Sequence, residues 1–269
     1  MKKKMMFLLF MICSLSFISS GYAIEPLYWN SQNGESELIL TNFEPNFLSG
    51  TFYHNRLGIS FKSVIRNEKR FFIISTMNGK TITSYKETDD KVITEYLDAY
   101  TLTANKNMLA IFLKSLSDKN SKNSITEDTE KTLTISGDRN TFKNMLDLEE
   151  ASIIPILSEV LGNRLGYTGK KYPASLAIHY FAISIAASKN IKLESSSKKC
   201  KPSELNNYGG NCFGLCGKGC NCWKWVCGDC EYNHPGCICH DEACGRYGYY
   251  HPLCASHWWI PFFGCGGCN

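Results

Sequence analysis

The sequence predicts a two-part protein: an α+β domain over residues 24–195 and a small, disulfide-rich, mainly helical or irregular module over 196–269. Three observations predict it. Of fourteen cysteines, Cys13 lies near the N-terminus and the other thirteen all fall between Cys200 and Cys268. The first half of the cysteine-free region alternates apolar and polar residues with period two, as half-buried strands do. Its second half carries two long apolar stretches of helical length. A chain of 269 residues has room for both parts.

The N-terminus comes first. Lys2, Lys3 and Lys4 precede an apolar run from Met5 to Ile18, and Gly21 and Ala23 stand at the −3 and −1 positions of a cleavage after Ala23. This is the layout of a secretory signal over residues 1–23, which predicts a secreted or periplasmic destination. Met11-Ile12 before Cys13 lack the small residues of a lipoprotein signal, so Cys13 reads as part of a discarded peptide. Loss of the leader reduces the formal charge from +4 to +1, with 26 basic residues against 25 acidic. Residues 200–269 hold four basic and five acidic side chains. Net charge therefore offers no surface for a nucleic acid.

Within the α+β domain, Phe71–Thr76 and Lys80–Tyr85 flank Met77-Asn78-Gly79, and Asn-Gly is a strong hairpin signal because it tolerates positive φ. Gly50–His54 and Leu57–Val64 alternate in the same way, which extends the hairpin to a four-stranded meander. Tyr100–Ser115 reads as a strand running into a helix, Asp118–Lys131 as a solvated loop, and Thr132–Ser136 as one more strand. Helices are expected at Leu148–Leu161, with Pro155 marking the true first turn, and at Pro173–Ser188. The second is apolar nearly all round, the pattern of a buried helix. His179 inside it reads as a satisfied core or interface histidine. No nucleotide loop, nucleophile elbow or paired metal histidines occur in this region. Glu194 to Lys199 form a polar linker.

Export makes disulfides the default reading of the thirteen clustered cysteines, and the odd number leaves at least one without an internal partner. A 70-residue module has a marginal core, so each native cross-link is worth about 2–5 kcal/mol to it. Two pieces of the module go beyond scaffold. Cys212 to Cys220 contains Gly214, Gly217 and Gly219, which allow tight turns that aim carbonyl oxygens inward. Hard cations such as calcium take oxygen ligands of this kind. Gly236 to Cys244 contains His240-Asp241 between Cys237, Cys239 and Cys244. On a helix, adjacent residues lie about 100° apart around the axis, so His240 can face a cleft while Asp241 faces a neighbouring loop. An imidazole held in place is a competent general base near neutral pH.

At these residues the sequence resembles the secreted phospholipase A2 superfamily, which combines a Cys-Gly-x-Gly calcium loop with a helix bearing Cys-x-x-His-Asp. Cys216-Gly217-Lys218-Gly219 matches the loop and Cys237-Ile238-Cys239-His240-Asp241 the helix. The resemblance spans residues 212–244. It implies that His240 takes a proton from the water that attacks a glycerophospholipid ester. It implies calcium bound by the Asp241 carboxylate and the backbone carbonyls of Leu215, Gly217 and Gly219. Calcium and the Gly217 amide would then stabilise the oxyanion. Several features depart from the family. Cys244 follows Asp241 by three residues where the family has two, Gly236-Cys237 replaces an adjacent cysteine pair, and Cys220–Glu231 is an insertion containing Trp223 and Trp225. The family orients its histidine with a later aspartate, whereas no acidic residue follows Glu242 here.

Trp258, Trp259, Phe262 and Phe263 form an aromatic run suited either to a phospholipid surface or to a small core. The alternative to hydrolysis is a catalytically silent, disulfide-rich module that binds lipid or protein. Zinc held by Cys227-x-x-Cys230 with Cys237, Cys239, His234 and His251 is a third reading, opposed by the export signal because exported thiols oxidise.

Overall fold

The computed structural model describes residues 25–107, 133–138, 140–169, 171–189, 191, 198–199, 221–222 and 225. Nine strands follow one another in the chain and in space: β1 (Leu27–Asn30), β2 (Ser36–Glu44), β3 (Phe47–His54), β4 (Leu57–Arg66), β5 (Lys69–Thr76), β6 (Thr81–Glu87), β7 (Lys91–Tyr96), β8 (Tyr100–Asn105) and β9 (Leu133–Gly137). Every neighbouring pair is antiparallel. This corrects the expected α+β class: the described chain is mainly β, a single nine-stranded meander with a few helices packed on it. The mainly helical character expected of the 196–269 module is corrected with it. The elements described there are β11 (Asn221–Cys222), paired with β10 (Lys198–Lys199) at the linker, and the helical residue Trp225.

The strand alternation at the centre of the meander is as the sequence predicts. Register places Leu48, Ser63, Phe72, Tyr85, Thr94 and Leu102 in one row across six strands, and all six are buried. The next inward row holds Leu40, Gly50, Phe61, Ile74, Thr83, Tyr96 and Tyr100. Gly50, Ser63, Thr83 and Thr94 stand among the rings and aliphatic side chains of these rows, which leaves the rings room to pack without overfilling the face. Gly50 is required by close approach. A Cβ there would lie 2.1 Å from the Ile39 carbonyl oxygen, beside the register shift between Leu40 and Asn42. Gly50→Ala is expected to cost about 1–3 kcal/mol through forced displacement of β2, checked by urea denaturation.

The sheet exceeds the expected four-stranded meander through the strands on either side of it, and its turns are of two kinds. Asn55-Arg56, Asn67-Glu68 and Leu97-Asp98 each have two successive residues at positive φ, between 47° and 71°; the first two are tight two-residue hairpin turns, and the third begins a three-residue loop between the paired Tyr96 and Tyr100. None contains glycine. The Asn78-Gly79 turn differs: Gly79 alone has positive φ (86°), and Met77–Gly79 form a three-residue loop closed by Thr76 N–H donating to the Lys80 carbonyl at 2.9 Å. β2 and β7, unread in the sequence, are strands of the same type, with Leu38, Leu40, Val92, Thr94 and Tyr96 inward.

The two expected helices fall where the sequence places them but are shorter, and a short helix the sequence did not show precedes them. After α1 (Thr141–Leu146), a 3-10 turn at Glu150–Ile153 leads into α2 (Ile154–Glu159), with Pro155 in the first turn, and then a π turn at Val160–Arg164. α3 (Ser175–Ser188) packs on α2 and the sheet, with every residue from Ala174 to Ala186 buried. Phe181 meets Phe72 edge to face, ring centroids 6.1 Å apart. No helix among the described residues is long and apolar enough to cross a membrane. The strand running from Tyr100 ends at Asn105, Lys106 and Asn107 are helical, and the rest of the stretch to Ser115 and the Asp118–Lys131 loop lie outside the described residues.

Candidate functional site

The described residues contain two buried polar clusters. The first lies between α2 and α3. Ser158 and His179 are both fully buried, with Ser158 Oγ 2.7 Å from His179 Nδ1. His179 Nε2 is 2.9 Å from the Tyr167 carbonyl oxygen, and the Trp225 indole N–H donates to Ser158 Oγ at 3.1 Å. Desolvation holds the imidazole pKa down to about 4, against the weaker opposing pull of the Tyr167 carbonyl, so the ring is neutral at pH 7. A carbonyl can only accept, which puts the proton on Nε2 and leaves Nδ1 to accept from the serine. The bonds therefore run in one direction, from Trp225 to Ser158 to His179 to Tyr167, and both ring nitrogens are satisfied.

A serine beside a histidine invites a nucleophile reading, but this pair is not built for it. In acyl-transfer triads the serine bonds Nε2 and a carboxylate orients Nδ1. Here the serine bonds Nδ1, the carbonyl occupies Nε2, and Ser158 Oγ also receives the indole. A base with a pKa near 4 is a poor proton acceptor from a hydroxyl at neutral pH. The satisfied core histidine expected from the sequence is what the structure holds.

The second cluster ends the inward face of β6. Glu87, whose side chain is 2% exposed, accepts from the Tyr85 hydroxyl at 2.6 Å and pairs with Arg70 Nη1 at 3.4 Å and Lys106 Nζ at 3.5 Å. Burial, with the Glu87 charge second, pushes the Tyr85 hydroxyl well above its usual pKa, so it remains a donor. A buried carboxylate needs such partners, and this one has them from three strands or their ends. At the rim, Trp29, Asn30, Ser31, Gln32, Asn33 and Arg164 line a hollow of about 510 Å³. Among the described residues, its lining contains no carboxylate, histidine or cysteine. Among the described residues, no group of three or more His, Cys, Asp or Glu side chains converges on one point.

The residues singled out from the sequence, His240, Asp241, Leu215, Gly217, Gly219, Trp258, Trp259, Phe262 and Phe263, lie outside the described residues, as do the zinc-reading residues. The feature that sequence reasoning missed is the role of Ser158 and Trp225. Ser158 shows no signal in the sequence beyond a polar residue in an apolar helix, and Trp225 stood out only as part of an insertion. No family model matches the chain, and no curated protein or solved structure matches it either.

Proposed function

We propose that the chain is an exported, calcium-dependent hydrolase of glycerophospholipid esters, similar to phospholipase A2, with its chemistry in the cysteine-rich segment and the β-meander domain as carrier. The observation that carries the reading is the pairing of Cys216-Gly217-Lys218-Gly219 with Cys237-Ile238-Cys239-His240-Asp241. The implied donor set, the carbonyls of Leu215, Gly217 and Gly219 with the Asp241 carboxylate, is all oxygen and suits a hard cation. Calcium, when bound, supplies positive charge to the ester carbonyl oxygen. His240 takes the proton of the attacking water, and the Gly217 amide donates to the developing oxyanion. Trp258, Trp259, Phe262 and Phe263 contact the phospholipid surface.

The test is fatty-acid release from phospholipid vesicles by the full chain, with and without calcium. Release that depends on calcium and falls roughly 10²–10⁴-fold in His240→Gln supports the reading. Release that survives both chelation and that substitution overturns it. One observation favours a second reading: no carboxylate follows Glu242 to orient His240. A silent lipid- or protein-binding module would show vesicle or partner association that His240→Gln leaves unchanged.

A further inference from the structure

The Cys220–Glu231 insertion has no place in the hydrolase reading, yet it contains a well-anchored side chain. Trp225 is 3% exposed. Its indole N–H bonds Ser158 Oγ at 3.1 Å, and its backbone carbonyl accepts the Gly169 N–H at 3.0 Å. The ring stands on Gly162 in the π turn. A Cβ on Gly162 would lie 2.1, 2.3 and 2.5 Å from Cδ1, Cγ and Cβ of Trp225. Just upstream, Cys222 pairs with Lys198 and Asn221 with Lys199. Within five residues the segment is therefore held twice, by a backbone ladder to the linker and by a side chain in the helical layer.

The socket is specific in shape and polarity. Its floor is a glycine, so a flat ring can lie directly on the backbone. Its polar end is Ser158 Oγ, whose own hydrogen is committed to His179 Nδ1 and whose free capacity is as an acceptor. An indole offers an apolar face and one N–H donor, and it fits both demands. Phenylalanine would fill the space without the donor.

We propose that the α2–α3 layer is the docking surface for the chain's own cysteine-rich segment and that Trp225 is the separable key that locks it there. The lock fixes the segment to the β-meander domain at Trp225, and it holds whether the segment hydrolyses lipid or only binds it.

Amide hydrogen exchange on the full chain tests the proposal, with Gly169 N–H as reporter of the docked state and the Tyr85 and Tyr96 amides as reporters of the sheet. In Trp225→Ala, Gly169 is expected to exchange at least about tenfold faster while the sheet amides keep their protection, since local opening has its own free energy. Gly162→Ala, which fills the floor, should do the same from the other side. Trp225→Phe should fall between wild type and alanine, because it keeps the ring and loses the donor. Unchanged Gly169 exchange in Trp225→Ala and Gly162→Ala overturns the docking role. Loss of sheet protection in all three variants also overturns it, because Trp225 is then simply core.

Discussion

Phe181→Ala is expected to lower folding stability by about 3–5 kcal/mol, a large part of what a domain has in total. Phe181 is fully buried in α3, which is itself buried from Ser175 to Ala186 between α2 and the sheet. Its ring meets the edge or face of Phe72 on β5, in the middle of the inward row. Removing it leaves a void beneath six strands whose paired backbones have little freedom to collapse inward, so both the transfer and cavity terms apply. Phe181→Leu, which keeps most of the volume, is expected to cost distinctly less. Urea denaturation of the two variants checks the order. Equal losses would show that α3 does not seat on the sheet through this ring.

Acid is expected to weaken the fold through His179. The folded-state pKa is lowered to about 4 by burial, while the same side chain in the unfolded chain titrates near 6.5. Below pH 6.5 the unfolded chain takes up a proton that the folded one refuses, so stability falls as pH drops from about 6.5 towards 4. Below about 4 the folded state is protonated too and this contribution levels off. The loss across that window is about 3 kcal/mol. His179→Gln removes the titration while keeping a donor for the Tyr167 carbonyl and an acceptor for Ser158. It should be less stable than wild type at pH 7 but should lack this part of the acid slope. Urea midpoints at pH 7 and pH 4.5 in the two proteins measure it, with carboxylates titrating alike in both. Parallel slopes would remove His179 as the cause.

Several elements were legible from local pattern. Leu57–Val64 and Phe71–Thr76 alternate with Ile59, Phe61, Phe72 and Ile74 inward, and β-branched and aromatic side chains suit a half-buried pleat. Pro155 belongs in a first helical turn because its missing N–H has no partner there in any helix. Ser175–Ser188 is rich in alanine and leucine-like residues and apolar on all sides, and it is a buried helix. The length of the sheet was not legible, for a specific reason. Hairpins at Asn55-Arg56, Asn67-Glu68 and Leu97-Asp98 place ordinary residues at positive φ, which intrinsic preference disfavours and strand pairing on both sides imposes. The first two join strands that the sequence pattern shows, whereas Leu97-Asp98 leads out of β7, which the pattern does not show. β7 is short and carries Lys91 and Glu95 on its outer side, which leaves Val92 and Tyr96 as its only apolar inward residues.

The sequence by itself determined the strand and helix periods and the confinement of thirteen cysteines to residues 200–268, because these are properties of neighbouring residues. It also carried the Cys-x-x-His-Asp pattern on which the proposed chemistry rests. Only the tertiary structure decided that the strands join one nine-stranded sheet, that His179 is bonded at both nitrogens, and that Trp225 reaches across 67 positions to Ser158. The reason is physical. A period is set by backbone geometry within a few residues, whereas a buried polar atom is satisfied by whichever group the packed chain brings within 3 Å, and sequence distance does not encode that meeting.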